Sequence, residues 1–222
     1  MFNHTHPYPP FIPENATKLV VGTLPPPRFT SGELKDGDVN FCYGSRDGQL
    51  WPILDTIFNL NLKFETTEAA INQRKEFLIT NQIGICDIVS SAQREKIDAS
   101  DLGMQEASLR DVVAVLEANE KVDTLLFTGG NSKNGPEYFF RRLLKLTSPY
   151  QLSLEIVSNV VPRVHSFQLP ESKRIIKTVS LTAPSGAANR AVGSLQKYKD
   201  LKSKNPKMTT IDFRVLQYRE FF

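Results

Sequence analysis

Cysteine is scarce: only 2 of 222 residues, Cys42 and Cys86, with no C-x-x-C spacing and no histidine beside either. That excludes a disulfide-stapled miniprotein, and two thiolates are too few for an iron–sulfur cluster. Both read as reduced thiols, and neither a metal nor a cofactor is expected. Histidine is scarce as well. His4 and His6 belong to a proline-rich N-terminus and His165 to a loop, and each reads as a surface or packing histidine. No run approaches about 18 uninterrupted apolar residues. The opening stretch, MFNHTHPYPPFIPEN, has neither a basic n-region nor an apolar h-region. The expectation is a cytoplasmic protein, most simply a monomer, with no membrane partner.

What is present is enough for a packed core: 40% of the residues are hydrophobic and 23% charged, composition for one globular domain over residues 1–222. The formal net charge of +3 is too small to argue for a polyanion by itself. Its distribution is uneven. Up to Asp111 there are 10 basic and 15 acidic residues, and from Val112 onward 17 basic and 9 acidic. This asymmetry suggests a polyanion-binding face in the second half.

Prolines keep residues 1–16 extended, as an arm over the surface of the folded domain. A β-branched run, KLVVGT (18–23), stops at Gly22 and three prolines, which reads as a buried strand feeding a rigid loop. Helical spacing begins near Trp51, and Thr66 or Thr67 is placed to cap a second amphipathic helix over 67–79. GICDIV (84–89) is a further strand, succeeded by a polar stretch up to Gln105 and a helix capped by Ser108 and running to Ala118. TLLF (124–127), a helix over 136–146, strands at 152–157 and 177–181, and basic helical segments over 191–222 complete the chain. Strands alternating with helices predict a three-layer α/β/α sandwich around a mostly parallel sheet of about four strands, with one site at the strands' C-terminal ends.

Four segments, in order, resemble the uracil-DNA glycosylase superfamily, in particular its mismatch-type and hypoxanthine-type branches. IPENATKLVVGTLPPPRF resembles the opening strand and its G-x-N-P-G or G-S-x-P loop. FCYGSRDGQLWPIL is similar to Y-G-H-P-x-N-x-F-W. GICDIVSSAQREKIDASD is similar to G-I-x-x-x-D-V…S-x-x-R-x-x-x-x-D-S. TLLFTGGNS and LTAPSGAANR resemble the third strand and the second signature loop, L-P-S-x-S-P-A-N. The resemblance implies a cofactor-independent enzyme of DNA repair that extrudes a deaminated base, uracil or hypoxanthine, and hydrolyses its N-glycosidic bond. Chemistry on a base requires that extrusion, which costs a few kcal/mol. Departure of the base builds positive charge on the sugar, which a carboxylate or oriented amide beside C1′ can stabilise.

Carried over residue by residue, the resemblance puts Gly22, Thr23 and Pro25 in the first loop around the base. Tyr43 takes the place of the aromatic that stacks on it, and Asp87 the place of a side chain offered to its edge. Ser45, Arg46, Ser185, Gly186, Asn189 and Arg190 are implied contacts to DNA. The chain departs from the pattern at Leu24, Gly48 and Ala183, where relatives carry Asn or Asp, Asn, and His. Asp47, next to Gly48, is assigned the water-activating or oxocarbenium-stabilising role.

Blander readings stand beside these. Asp47-Gly48 also suits a turn capping the helix that begins near Gln49, Tyr43 a core position, Asp87 a structural hydrogen bond, and Asn189-Arg190 a solvated helix start. The basic residues of 197–207 and the pair Arg141-Arg142 carry much of the positive charge and suit phosphate contacts or a solvated face. The rival function is a non-catalytic DNA- or nucleotide-binding protein on the same scaffold. Hydrolysis of a free nucleoside is a third reading, for which a basic surface is unnecessary.

Overall fold

Short apolar runs ending in Gly, Asp, Thr or Ser lie side by side in the computed structural model, which describes residues 1–98, 100–147 and 152–222. In chain order the elements are β1 (Phe2–Thr5), β2 (Lys18–Val21), α1 (Arg28–Ser31), α2 (Leu50–Phe58), α3 (Glu68–Thr80), β3 (Ile83–Ile85), β4 (Val89–Arg94), β5 (Gln105–Leu109) and α4 (Val112–Ala118). Then come β6 (Thr124–Phe127), α5 (Pro136–Thr147), β7 (Glu155–Ser158), β8 (Arg163–Gln168), β9 (Ile175–Ser180), α6 (Asn189–Ser194), α7 (Gln196–Lys204) and α8 (Thr210–Arg219).

The main sheet has six strands in the order β3-β2-β6-β9-β8-β7, against an expectation of about four. The first four are mutually parallel, and β8 and β7 extend the edge antiparallel. The discrepancy comes from that edge. Arg163–Gln168 reads as loop in the sequence because its RVHSFQ pattern buries only His165 and Phe167 on one face. Strand periodicity explains the layers: Leu19, Val21, Leu125 and Phe127 meet α4 and α5 on one side, whereas Val20 and Leu126 meet α2, α3 and α8 on the other. A sheet covered on both faces is what parallel strands require.

A second sheet, β1-β4-β5, has no forerunner in the sequence pattern. The N-terminal arm is not simply draped on the surface: β1 pairs with β4, and His4 is fully enclosed. Ser108 lies in β5, opposite Ser91, and the cap of α4 is Asp111, whose side chain accepts from the Ala114 N–H at 2.9 Å. The cap of α3 is Thr67, bonded to the Ala70 N–H. At the C-terminus, Val192, Tyr198, Met208 and Phe213 form a small core of their own, so the basic helices pack as a unit beside the sheet. Among the described residues no helix is long and apolar enough to cross a membrane.

Candidate functional site

The four parallel strands end in Gly22, Cys86-Asp87, Thr128-Gly129 and Leu181-Thr182. Beyond them opens a cleft of about 820 Å³, lined among others by Thr23, Tyr43, Asp47, Asp87, Asp101 and Ser185. A cavity of about 290 Å³ adjoins it and shares Asp101, Thr128 and Ala183. A crevice at the C-terminal ends of parallel strands is the usual ligand position in such sheets.

Asp87 forms the floor. Its Oδ1 accepts from the Gly22 N–H and from Tyr43 Oη, both at 2.7 Å. Its Oδ2 lies 3.0 Å from His6 Nε2. The Tyr8 N–H donates to His6 Nδ1 at 3.1 Å, so the imidazole proton sits on Nε2 and points at the carboxylate. Burial, and then the negative charge of Asp87, hold the Tyr43 phenol well above its ordinary range, so Tyr43 remains a donor. Tyr43 adopts φ 58°, a left-handed conformation that non-glycine residues enter at a cost, and it lines the cleft while packing against the core of α2, α3 and α8. Gly22 beneath it cannot be replaced without crowding: a Cβ there would meet Tyr43 Oη, Asp87 Oδ1 and Thr128 Oγ1.

One wall is the proline-rich loop after β2. Thr23 Oγ1 donates to Asp101 Oδ1 at 2.7 Å, and the Asp101 backbone carbonyl is held by Asn134 Nδ2 at 2.9 Å. Burial raises the Asp101 carboxyl above its ordinary range, against the opposing effects of the Thr23 hydrogen bond and Arg94.

A second wall is the loop that carries Asp47, organised from beneath by Asp38. That buried carboxylate accepts from Arg28 Nε and Nη2 at 2.7 and 2.9 Å and from the Lys35 and Arg46 N–H groups at 2.9 and 2.8 Å. Burial alone would raise the Asp38 carboxyl, but these donors bring it down to about 2. Arg28 Nη2 also reaches Ser45 Oγ at 2.9 Å and Asp47 Oδ2 at 3.2 Å. The Asp47 side chain is 69% exposed, so it stands at the rim.

Residues 183–188 make the third wall and are joined to the second. The Gln49 N–H donates to the Pro184 carbonyl at 2.9 Å, and Gly48 bridges Ser185.

No family model matches the chain, and no curated protein does. Among solved structures, the solution NMR structure of a Methanosarcina acetivorans protein provisionally assigned as a uracil DNA glycosylase matches with a TM-score of 0.53. The identity is 16%, over 96% of this chain and 99% of that one. The two chains share a fold. At this identity the likeness describes architecture, and the chemistry has to be read from the cleft itself.

The cleft gathers Thr23, Pro25, Tyr43, Ser45, Asp47, Asp87, Ser185 and Gly186 in its lining, with Gly22 bonded to its floor. Arg46, Asn189 and Arg190 are outside that lining. The Arg46 guanidinium turns back to the Asp36 carbonyl at 3.0 Å, and Asn189 Oδ1 accepts from Arg214 and from Thr210 Oγ1, both at 2.9 Å. Three residues at the site have no role that the sequence pattern assigns. Asp101 lies inside one of the family-like segments, His6 follows directly on β1, two residues past His4, and Arg214 carries no local signal. Among the described residues no cluster of His, Cys, Asp and Glu is arranged to hold a metal ion. The cleft offers an aromatic ring, acceptor oxygens on its floor, and two further carboxylates at different depths. Such a set can stack on a planar ring, hydrogen-bond its edge, and stabilise positive charge or take a proton from water.

Proposed function

We propose that this protein is a DNA glycosylase that hydrolyses the N-glycosidic bond of a deaminated base, uracil or hypoxanthine, extruded from DNA into the cleft. The observation that carries this reading is the convergence of Tyr43, Asp87, Asp47, Asp101 and Ser185 on one cleft at the sheet's C-terminal edge. The fold shared with the provisionally assigned archaeal glycosylase supports it. The base stacks on Tyr43 and presents its N–H edge to Asp87, whose orientation is fixed by three donors. As the bond from C1′ to the base nitrogen lengthens, its electron pair leaves with the base and the sugar becomes cationic. Asp101 takes a proton from the water that bonds to C1′, and Asp47 adds negative charge from the rim. The loop at 184–186 holds the strand backbone beside the extruded nucleotide.

A second reading, a binding protein without catalysis, is favoured by one observation. Leu24, Gly48 and Ala183 line the cleft where the resembled family carries polar side chains. Oligonucleotides containing uracil, hypoxanthine, xanthine or a mismatch separate the two. Abasic product from a uracil or hypoxanthine substrate supports the enzyme. Absence of product from every substrate at high protein concentration, with salt-dependent binding intact, leaves the binding protein.

A further inference from the structure

The cleft is acidic and short of positive partners. Its charged lining is Asp47, Asp87 and Asp101 against Lys133, and Arg163 belongs to the adjoining cavity. Arg28 does not redress the balance. The buried Asp38 already accepts from both its Nε and its Nη2, and Asp47 is a second carboxylate on the same guanidinium. Among the described residues no arginine or lysine forms an ion pair with Asp87 or Asp101. Asp87 has His6 instead, a neutral donor, because the Tyr8 N–H donates to its Nδ1. Burial first, and to a smaller degree the charge of Asp87, raise the Asp101 carboxyl, against the Thr23 hydrogen bond and Arg94. The two carboxylates are therefore near enough to repel, and a cation brought beside them relieves that repulsion.

The opposite provision, for a departing anion, is missing. Breaking the bond from C1′ to an uncharged base leaves the electron pair, and with it a negative charge, on that base. Leu24, Gly48 and Ala183 stand in the lining and offer such an anion no side-chain donor, while Asp87 at its edge repels it. A base that is already a cation meets neither difficulty. Alkylation of a purine ring nitrogen, as at N7 of guanine, makes the ring positive. The electron pair of the breaking N9–C1′ bond then neutralises the ring, and the base leaves uncharged without help from an acid. The water oxygen bonds to C1′ and its proton passes to Asp101, so neutral base, abasic sugar and one proton account for substrate and water. A cationic ring also stacks well on an aromatic face such as that of Tyr43, and its charge strengthens the guanine N1–H as a donor to Asp87. Among the described residues Asp87 Oδ2 accepts only from His6, which leaves it a lone pair for that donor. We propose that this cleft excises cationic, ring-alkylated purines such as 7-methylguanine, a substrate class distinct from the deaminated bases. The inference rests on the glycosylase reading above and extends it.

The test is single-turnover release from duplexes carrying one 7-methylguanine, uracil or hypoxanthine, each beside a protein-free control that measures spontaneous loss of the base. The expected result is release of 7-methylguanine at least about tenfold above its control. Recognition of the charge is read separately, by equilibrium binding of two duplexes that resist cleavage. One carries 7-methylguanine on a 2′-fluorinated sugar, where fluorine disfavours positive charge at C1′. The other carries 7-methyl-7-deazaguanine on the same sugar, which has the same shape without the charge. The cationic duplex is expected to bind at least about tenfold more tightly. Loss of 7-methylguanine no faster than in its control, with uracil or hypoxanthine released, overturns the inference and leaves the deaminated-base reading in place. Release of 7-methylguanine alone upholds the inference and removes uracil and hypoxanthine from that reading. Equal affinity for the charged and uncharged duplexes overturns it whatever the rates, because the carboxylates then do not read the charge. No release from any duplex overturns both.

Discussion

His6 Nε2 donates to Asp87 Oδ2 at 3.0 Å across 81 residues of sequence, tying the N-terminal arm to the floor of the cleft. His6→Phe keeps a ring of similar size and deletes the donor, which leaves a buried carboxylate oxygen without its partner. Such a deletion costs about 1–3 kcal/mol. Urea unfolding should show the lower midpoint, and single-turnover excision should slow because Asp87 loses the contact that orients it. An unchanged midpoint together with an unchanged rate would show that the arm is incidental to the site.

Gly22→Ala tests the floor from the opposite side. A methyl group at residue 22 would crowd Tyr43 Oη, Asp87 Oδ1 and Thr128 Oγ1, the first two of which are joined by a 2.7 Å hydrogen bond. Overpacking of this kind costs about 1–3 kcal/mol. The larger effect is expected on base binding, because Tyr43 and Asp87 must separate to admit the methyl. Isothermal titration with free uracil or hypoxanthine reads this, and equal affinity in wild type and variant would refute the assignment of the floor.

The parallel core and the site's position are legible in the sequence because local signals suffice for both. KLVV and TLLF are short apolar runs with glycine one or two residues beyond each, Gly22 and Gly129-Gly130. The loops after them are therefore readable as the walls of a site. The sheet β1-β4-β5 is not legible because VSSAQR and QEASL bury few residues and show no apolar alternation. Its stability depends on pairing with a distant N-terminal strand, which no local window contains. Asp101 stands in a family-like segment, but its distinction arises from burial and from Thr23 far back in the chain. Arg214 lies in TIDFRVLQYR, where an arginine ordinarily reads as solvent-facing, and only the packing of α8 beneath residues 183–189 encloses it.

The arm also predicts an acid sensitivity. His4 is fully enclosed, and Arg94 Nε donates to its Nδ1 at 2.8 Å. Burial, reinforced by the Arg94 charge, lowers the imidazole to about 4 from 6.5. Because the folded value is depressed, the unfolded chain binds the proton first. The contribution of neutral His4 is therefore fully present above about pH 6.5 and is lost as the pH falls toward 4, by roughly 3 kcal/mol in all. Thermal unfolding across that range should show the decline, and His4→Gln should flatten it. A His4→Gln protein with the wild-type pH slope would place the sensitivity elsewhere.

Asp101 and Asp47 make different predictions for catalysis, and the pH profile separates them. Asp101 is raised by burial, so a reaction that needs its ionised form should lose rate on the acid side of an inflection above the ordinary carboxylate range. Asp101→Asn should remove that inflection and lower the single-turnover rate by about 10²–10⁴, the span of general acid–base catalysis. Asp47 faces solvent and pairs with Arg28 at 3.2 Å, so water screens what its charge contributes at the sugar. Asp47→Ala should cost less than Asp101→Asn and leave the inflection where it was. The opposite ranking, with Asp47→Ala abolishing the acid limb and Asp101→Asn turning over normally, would return the water-activating role to Asp47. In that case the Arg28–Asp38 pair, which holds the Asp47 loop from below, would become the positioning element of the reaction.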